Sequence, residues 1–114
     1  FRSSRAGHVA RLKATGAALG VDSSCVARAT QTRFEPGDKL ILVTDGVTEA
    51  MNAAKEEFGE PRFVAAVETG LQESPRELVS RLFAAVDAFA QGEEQSDDIG
   101  CLTIERKPRE APRL

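Results

Sequence analysis

The chain has 114 residues, with 15 Lys and Arg against 18 Asp and Glu, for a formal net charge of −3. That length suits one domain with a modest core, and the charge balance gives no electrostatic case for a nucleic-acid partner. No apolar run approaches the ~18 residues of a membrane span, and the start lacks the pattern of a signal peptide. Its two cysteines, Cys25 and Cys101, stand apart from each other among strand-like residues. Buried free thiols in a cytoplasmic protein are therefore expected, in preference to a disulfide framework or a zinc site. The first residue is Phe1 rather than Met, as in a processed piece, an engineered chain or a partial stretch of a longer protein. Basic residues at both ends, from Arg2 to Lys13 and from Arg106 to Arg113, read as solubilising termini.

In chain order, Gly7 to Thr15 predicts a short strand with imperfect alternation, and Gly16 to Asp22 a turn or irregular link. Cys25 to Phe34 alternates better, and its β-branched residues predict an exposed or edge strand. Glu35-Pro36-Gly37-Asp38 is a type II turn signal, with Pro at the second position and Gly at the third. The continuous apolar run within Lys39–Val43 predicts a central strand covered on both faces. A short helical piece is expected from Val47 to about Lys55, then a break around Gly59-Glu60-Pro61. Phe63, Val64, Val67 and Leu71 recur at the three-and-four spacing of an amphipathic helix over Arg62 to Leu71. Ser74-Pro75-Arg76-Glu77 reads as a capped helix start, and Leu78, Val79, Leu82, Phe83, Val86 and Phe89 line one face of the helix that follows. Gly92 stops it. Ile99, Cys101, Leu102 and Ile104 predict a last strand, and residues 107–114 a loose tail.

The chemistry concentrates in two acidic clusters, Thr44-Asp45-Gly46-Val47-Thr48-Glu49 and Ser96-Asp97-Asp98. Asp45 follows the central strand directly, and Asp97 and Asp98 open the last one. If those strands are antiparallel neighbours, the helical hairpin from about Arg62 to Gln91 connects them across one sheet face. The acids then share a rim. Carboxylates so placed, with no His or Cys beside them, suit a hard divalent ion such as Mg²⁺ or Mn²⁺. From spacing alone a second reading stands beside this one: an ordinary Asp-Gly turn and an acidic loop, both common. His8, the one histidine, reads as structural. Lys39 and Arg62 read as surface residues flanking apolar runs.

The run from Pro36 to Ala50, with Thr44-Asp45-Gly46-Val47-Thr48-Glu49 at its heart, resembles the hallmark segment of bacterial PP2C-like metal-dependent serine/threonine protein phosphatases, the class that includes SpoIIE and RsbU. Phe58-Gly59, the Ser74 to Phe89 helix and Ser96-Asp97-Asp98-Ile99 follow in that family's order. Ala6-Gly7-His8 and Ala14-Thr15-Gly16-Ala17-Ala18-Leu19-Gly20 also resemble its motifs, so the likeness covers about Ala6 to Arg106. The resemblance implies a partial α-β-β-α sandwich of the α/β class, with mainly antiparallel sheet and a helical hairpin. It makes residues 1–114 the carboxyl-terminal portion of a phosphatase domain. Asp45 and Asp97 would be the catalytic metal-binding aspartates, with Asp98 a less essential neighbour. Glu49 would steady the following turn or rim.

Family members are thought to use two Mg²⁺ or Mn²⁺ ions to activate water against phosphoserine or phosphothreonine. The implied substrate is a phosphorylated regulatory protein, such as an anti-sigma-factor antagonist, with no nucleic acid and no membrane in this segment. The sequence departs from the family in three places. The acidic pair of the family's amino-terminal half has no counterpart, the stretch after His8 is contracted, and Gly100 replaces a usual threonine. Two function classes follow: part of a metal-dependent phosphatase, weakly active or inactive by itself, and a degenerate or truncated protein-binding module without catalysis. An incomplete sheet in either case predicts self-association.

Overall fold

A computed structural model describes residues 1–13, 23–24, 28–95 and 97–107 of the chain. The fold is mixed α/β. Its sheet is antiparallel with strand order β2-β1-β3-β4, where β1 is Arg2–Ser3, β2 Val9–Ala10, β3 Lys39–Val43 and β4 Cys101–Glu105. Three helices lie between β3 and β4 in sequence: α1 (Asp45–Thr48), α2 (Gly59–Glu68) and α3 (Pro75–Ala90). Among the described residues no helix is long and apolar enough to cross a membrane.

The central pair behaves as its side chains dictate. β3 and β4 pair over their whole lengths, from Lys39↔Glu105 to Val43↔Cys101. Residues directly opposite share a face, so Ile41, Val43 and Cys101 turn toward the helices. Ile41 is buried there with Phe63, Val67, Leu78, Leu82 and Val86 of α2 and α3. The expected cover on both faces of β3 is not seen among the described residues. Leu42, Leu102 and Ile104, on the other face, are 49%, 56% and 47% exposed. A contiguous apolar patch of this kind drives association. The isolated chain should therefore form concentration-dependent oligomers by light scattering, and a Leu42→Ser/Leu102→Ser variant should shift it toward monomer. An equally associated double variant would show that another surface is responsible.

Local signals place several boundaries. The Pro36-Gly37 turn forms with Asp38 N–H on the Glu35 carbonyl at 3.0 Å and Gly37 at φ +91°, the left-handed conformation that a type II turn asks of its third residue. Ser74 is the N-cap of α3, its hydroxyl accepting the Glu77 N–H at 3.2 Å, and Pro75 occupies the first turn. The helix ends at Ala90, with Gln91 and Gly92 both at positive φ.

Other boundaries differ from the sequence expectation. α1 begins two residues earlier than expected and stops at Thr48, because Asn52 takes over the backbone: its Oδ1 accepts the Glu56 N–H at 3.0 Å and its carbonyl the Lys55 N–H at 3.0 Å. Such local side-chain bonding competes with helix. The expected break at Gly59–Pro61 is instead the first turn of α2, where the missing Pro61 N–H costs nothing. Arg2–Ser3 forms a strand where none was expected, and of Gly7 to Thr15 only Val9–Ala10 is extended into the sheet among the described residues. Arg28 to Phe34 forms no strand; its alternation offers no apolar face, so pairing it would bury little. Residues 14–22 apart, the expectations for Cys25, Ser96 and the tail beyond Lys107 also lie outside the described residues.

Lys39 overturns its surface assignment. It is 1% exposed, with its Nζ donating to the Leu71 carbonyl at 2.8 Å and lying 3.5 Å from Glu105 Oε1. The side chain enters the core face and bolts the α2–α3 turn to the sheet, so the charge is buried only because it is paired. Gln72 adds a second bolt, its amide donating to the Arg5 carbonyl at 2.7 Å. Lys39→Met, which keeps the length and loses the donor, should cost about 1–2 kcal/mol in urea unfolding. No loss would mean that the Leu71 bond contributes nothing net.

Candidate functional site

Asp45 and the pair Asp97-Asp98 meet at one end of the sheet. The cause is the antiparallel register: Val43 ends β3 opposite Cys101, which begins β4, so the residue after one strand faces the residues before the other. Thr44 extends the contact. Its N–H donates to the Gly100 carbonyl at 3.0 Å, its hydroxyl donates to the Asp98 carbonyl at 2.8 Å, and the same oxygen accepts the Gly100 N–H at 2.9 Å.

Gly46 is buried against this junction. A Cβ there would run into the Asp98 carbonyl oxygen and come 2.8 Å from its carbon and 3.2 Å from the Asp97 carbonyl oxygen. Its φ is not in the left-handed region, so glycine is required by the close backbone approach rather than by conformation. Asp97 Oδ1 accepts the Asp98 N–H at 2.7 Å, which orients that carboxylate. Asp45, Asp97 and Asp98 are all exposed. Their oxygens are the donor type that hard divalent ions prefer. No group of three or more His, Cys, Asp or Glu able to hold a metal ion occurs among the described residues, however. The three aspartates therefore share the donor chemistry of such a site without forming a metal-holding group.

A cleft of about 420 Å³ opens beside Asp45, with Leu42, Thr44, Thr48, Phe1, Arg11 and Glu60 among its lining residues. Arg11 Nη2 is 3.3 Å from Glu60 Oε1, an ion pair within that lining. Glu49 caps α1 through its N–H on the Asp45 carbonyl at 2.8 Å. Cys101 lies half-buried at the start of β4, and burial pushes its thiol pKa up. At neutral pH it is a neutral thiol, unsuited to nucleophilic attack.

His8 and Arg62 have other places in the fold. His8 lies in the β1–β2 turn, beyond the Lys39 end of β3 and so opposite Asp45. Arg62 spends its guanidinium on the Glu57 and Phe58 carbonyls and lies 4.5 Å above the Phe89 ring, which makes it a brace between the Met51–Phe58 stretch and α3. Sequence reasoning did not single out Thr44. The available signal was a hydroxyl residue directly between an apolar strand and Asp-Gly.

The chain matches the family described as Stage II sporulation protein E (SpoIIE) over residues 1–107. It is also similar to Protein IcfG of Synechocystis sp., with 30% identity over 96 residues, 84% of this chain. The aligned part is 15% of the length of Protein IcfG. No solved structure matches.

Proposed function

This chain belongs to the SpoIIE family, and we propose on that premise that it is the carboxyl-terminal part of a Mg²⁺- or Mn²⁺-dependent protein serine/threonine phosphatase domain. The observation that carries the reading is the family match across residues 1–107 together with the junction of Asp45-Gly46 and Asp97-Asp98. In this reading the complete domain stacks a second sheet on the open face of Leu42, Leu102 and Ile104, giving an α-β-β-α sandwich. Asp45, just after β3, and Asp97, just before β4, would hold the cation, and Asp98 would flank them. Bound divalent ions supply Lewis-acid charge for the phosphoryl oxygens and lower the pKa of water. The chain's own residues tie the Asp98–Gly100 backbone to the end of β3 through Thr44, orient the Asp97 carboxylate through the Asp98 N–H, and shape the cleft beside Asp45. No side-chain nucleophile is needed. The substrate is a phosphoserine or phosphothreonine of a regulatory protein, with an anti-sigma-factor antagonist as the candidate class.

A second reading, a phosphatase-like protein-binding module without catalysis, draws on the lack of a three-ligand group among the described residues. The deciding experiment is an assay of the complete encoded protein on phosphoserine proteins with Mn²⁺ or with chelator. Turnover that requires Mn²⁺ supports the phosphatase, with the 114-residue chain alone weak or inactive. An absence of turnover by the complete protein on several phosphoproteins would leave the binding module.

A further inference from the structure

We propose that the outer edge of β4 is a dimerisation edge, to which β4 of a second copy of this chain adds antiparallel about a two-fold axis at Thr103. β4 is the last strand of the sheet among the described residues. In an antiparallel ladder, successive residues turn their N–H and C=O groups alternately toward one neighbour and away from it. The bonds from the Thr44 N–H to the Gly100 carbonyl and from the Arg106 N–H to the Asp38 carbonyl fix the phase, so that Leu102 and Ile104 bond to β3. Cys101, Thr103 and Glu105 therefore point their backbone groups away from β3, where none of those groups has a partner among the described residues. Such a row is a template for another strand. Cys101–Glu105 holds neither proline nor lysine to block it.

The occupant is a second copy because the strand complements itself. With Thr103 opposite its own equivalent, Cys101 faces Glu105 of the second copy and Leu102 faces Ile104. Leu102 and Ile104 are both exposed, and the pairing joins the open apolar faces of the two copies into one. No like charges stand directly opposite, the arrangement that destabilises a strand pair. The charges beyond the strand ends set the direction. β4 is preceded by Asp97 and Asp98 and followed by Arg106 and Lys107, all exposed. Carried on in the same register, Arg106 of one copy is diagonal to Asp98 of the other and Lys107 is diagonal to Asp97, within reach of long side chains. The two-fold axis makes each contact twice. A parallel pairing would instead set acid beside acid and base beside base. Stacking face to face on Leu42, Leu102 and Ile104 carries no such dependence on charge.

The test uses the complete protein in chelator, with dimer dissociation read by analytical ultracentrifugation. The wild type should dimerise. Asp97→Lys/Asp98→Lys and Arg106→Glu/Lys107→Glu should each weaken the dimer about 10-fold or more, since every diagonal pair becomes a like pair. Mixed in equal amounts, the two variants should dimerise at wild-type strength, because each copy then meets its opposite at both ends. Thr103→Pro should also yield monomer with β3 and β4 still paired, since the Thr103 N–H faces away from β3 and an edge strand tolerates proline there. If Arg106→Glu/Lys107→Glu does not fold, through loss of the Arg106 bond to the Phe34 carbonyl, Asp97→Lys and Lys107→Glu repeat the swap at a single pair. Unchanged dimers in the charge variants overturn the proposal and leave association to the open apolar face. Weakening that mixing does not reverse also overturns it, since the charges would then not meet across a two-fold axis. A monomeric wild type overturns it as well and leaves the edge to a strand of another protein. The phosphatase reading is decided separately, by Mn²⁺-dependent turnover.

Discussion

Asp45→Asn in the complete protein should lower Mn²⁺-dependent turnover about 100-fold or more, the scale on which loss of one preorganised electrostatic group acts. The fold should not notice. The Asp45 carboxylate is exposed and makes no hydrogen bond or ion pair among the described residues; the bonds at this position are to its backbone carbonyl, from the Thr48 hydroxyl and the Glu49 N–H. Exposed substitutions of that sort usually stay within about 0.5 kcal/mol. Removing one of several neighbouring negative charges also relieves repulsion in the metal-free protein. The melting temperature in chelator should therefore stay level or rise slightly while activity falls. Steady-state turnover measured beside thermal unfolding separates the two effects. Undiminished turnover in D45N would remove Asp45 from the proposed site.

Gly46→Ala should fail differently, losing stability and metal binding together. The new Cβ would meet the Asp98 carbonyl, which is backbone and cannot swing aside as a flexible side chain would. Relief requires the start of α1 and the approach to β4 to separate, where Thr44 already ties them. Overpacking at a buried backbone contact should cost about 3 kcal/mol. The same separation moves Asp45 away from Asp97 and Asp98, so Mn²⁺ affinity should drop alongside. Urea unfolding and Mn²⁺ titration of one preparation check both. A variant as stable as wild type with equal Mn²⁺ affinity would show that the backbones do not approach this closely.

What could be read from residues was governed by neighbours in sequence. The α3 start follows from Ser74, Pro75 and Glu77, whose capping interaction spans three positions. The turn before β3 follows from Pro36 and Gly37, and β3 itself from its apolar run. The order of acidic clusters was legible too, and resemblance to known phosphatases, rather than spacing, attached metal roles to Asp45, Asp97 and Asp98. The departures come from interactions across the chain. Lys39 has the composition of a surface residue, and only the Leu71 carbonyl and Glu105 make its burial tolerable. Arg28 to Phe34 alternates like a strand, yet pairing it buries too little to hold it in a sheet. Arg2–Ser3 carries almost no strand signal but is held between Val9–Ala10 and Lys39-Leu40. The site follows the same division. Sequence placed an aspartate at the end of one apolar run and a pair before another. Tertiary structure alone decided that the strands are antiparallel neighbours in register, that Gly46 lies against the Asp98 carbonyl, and that Thr44 leaves its own helix uncapped to join them. A backbone contact between residues so far apart in the chain has no local signature; it exists because the sheet brings both ends to the same edge.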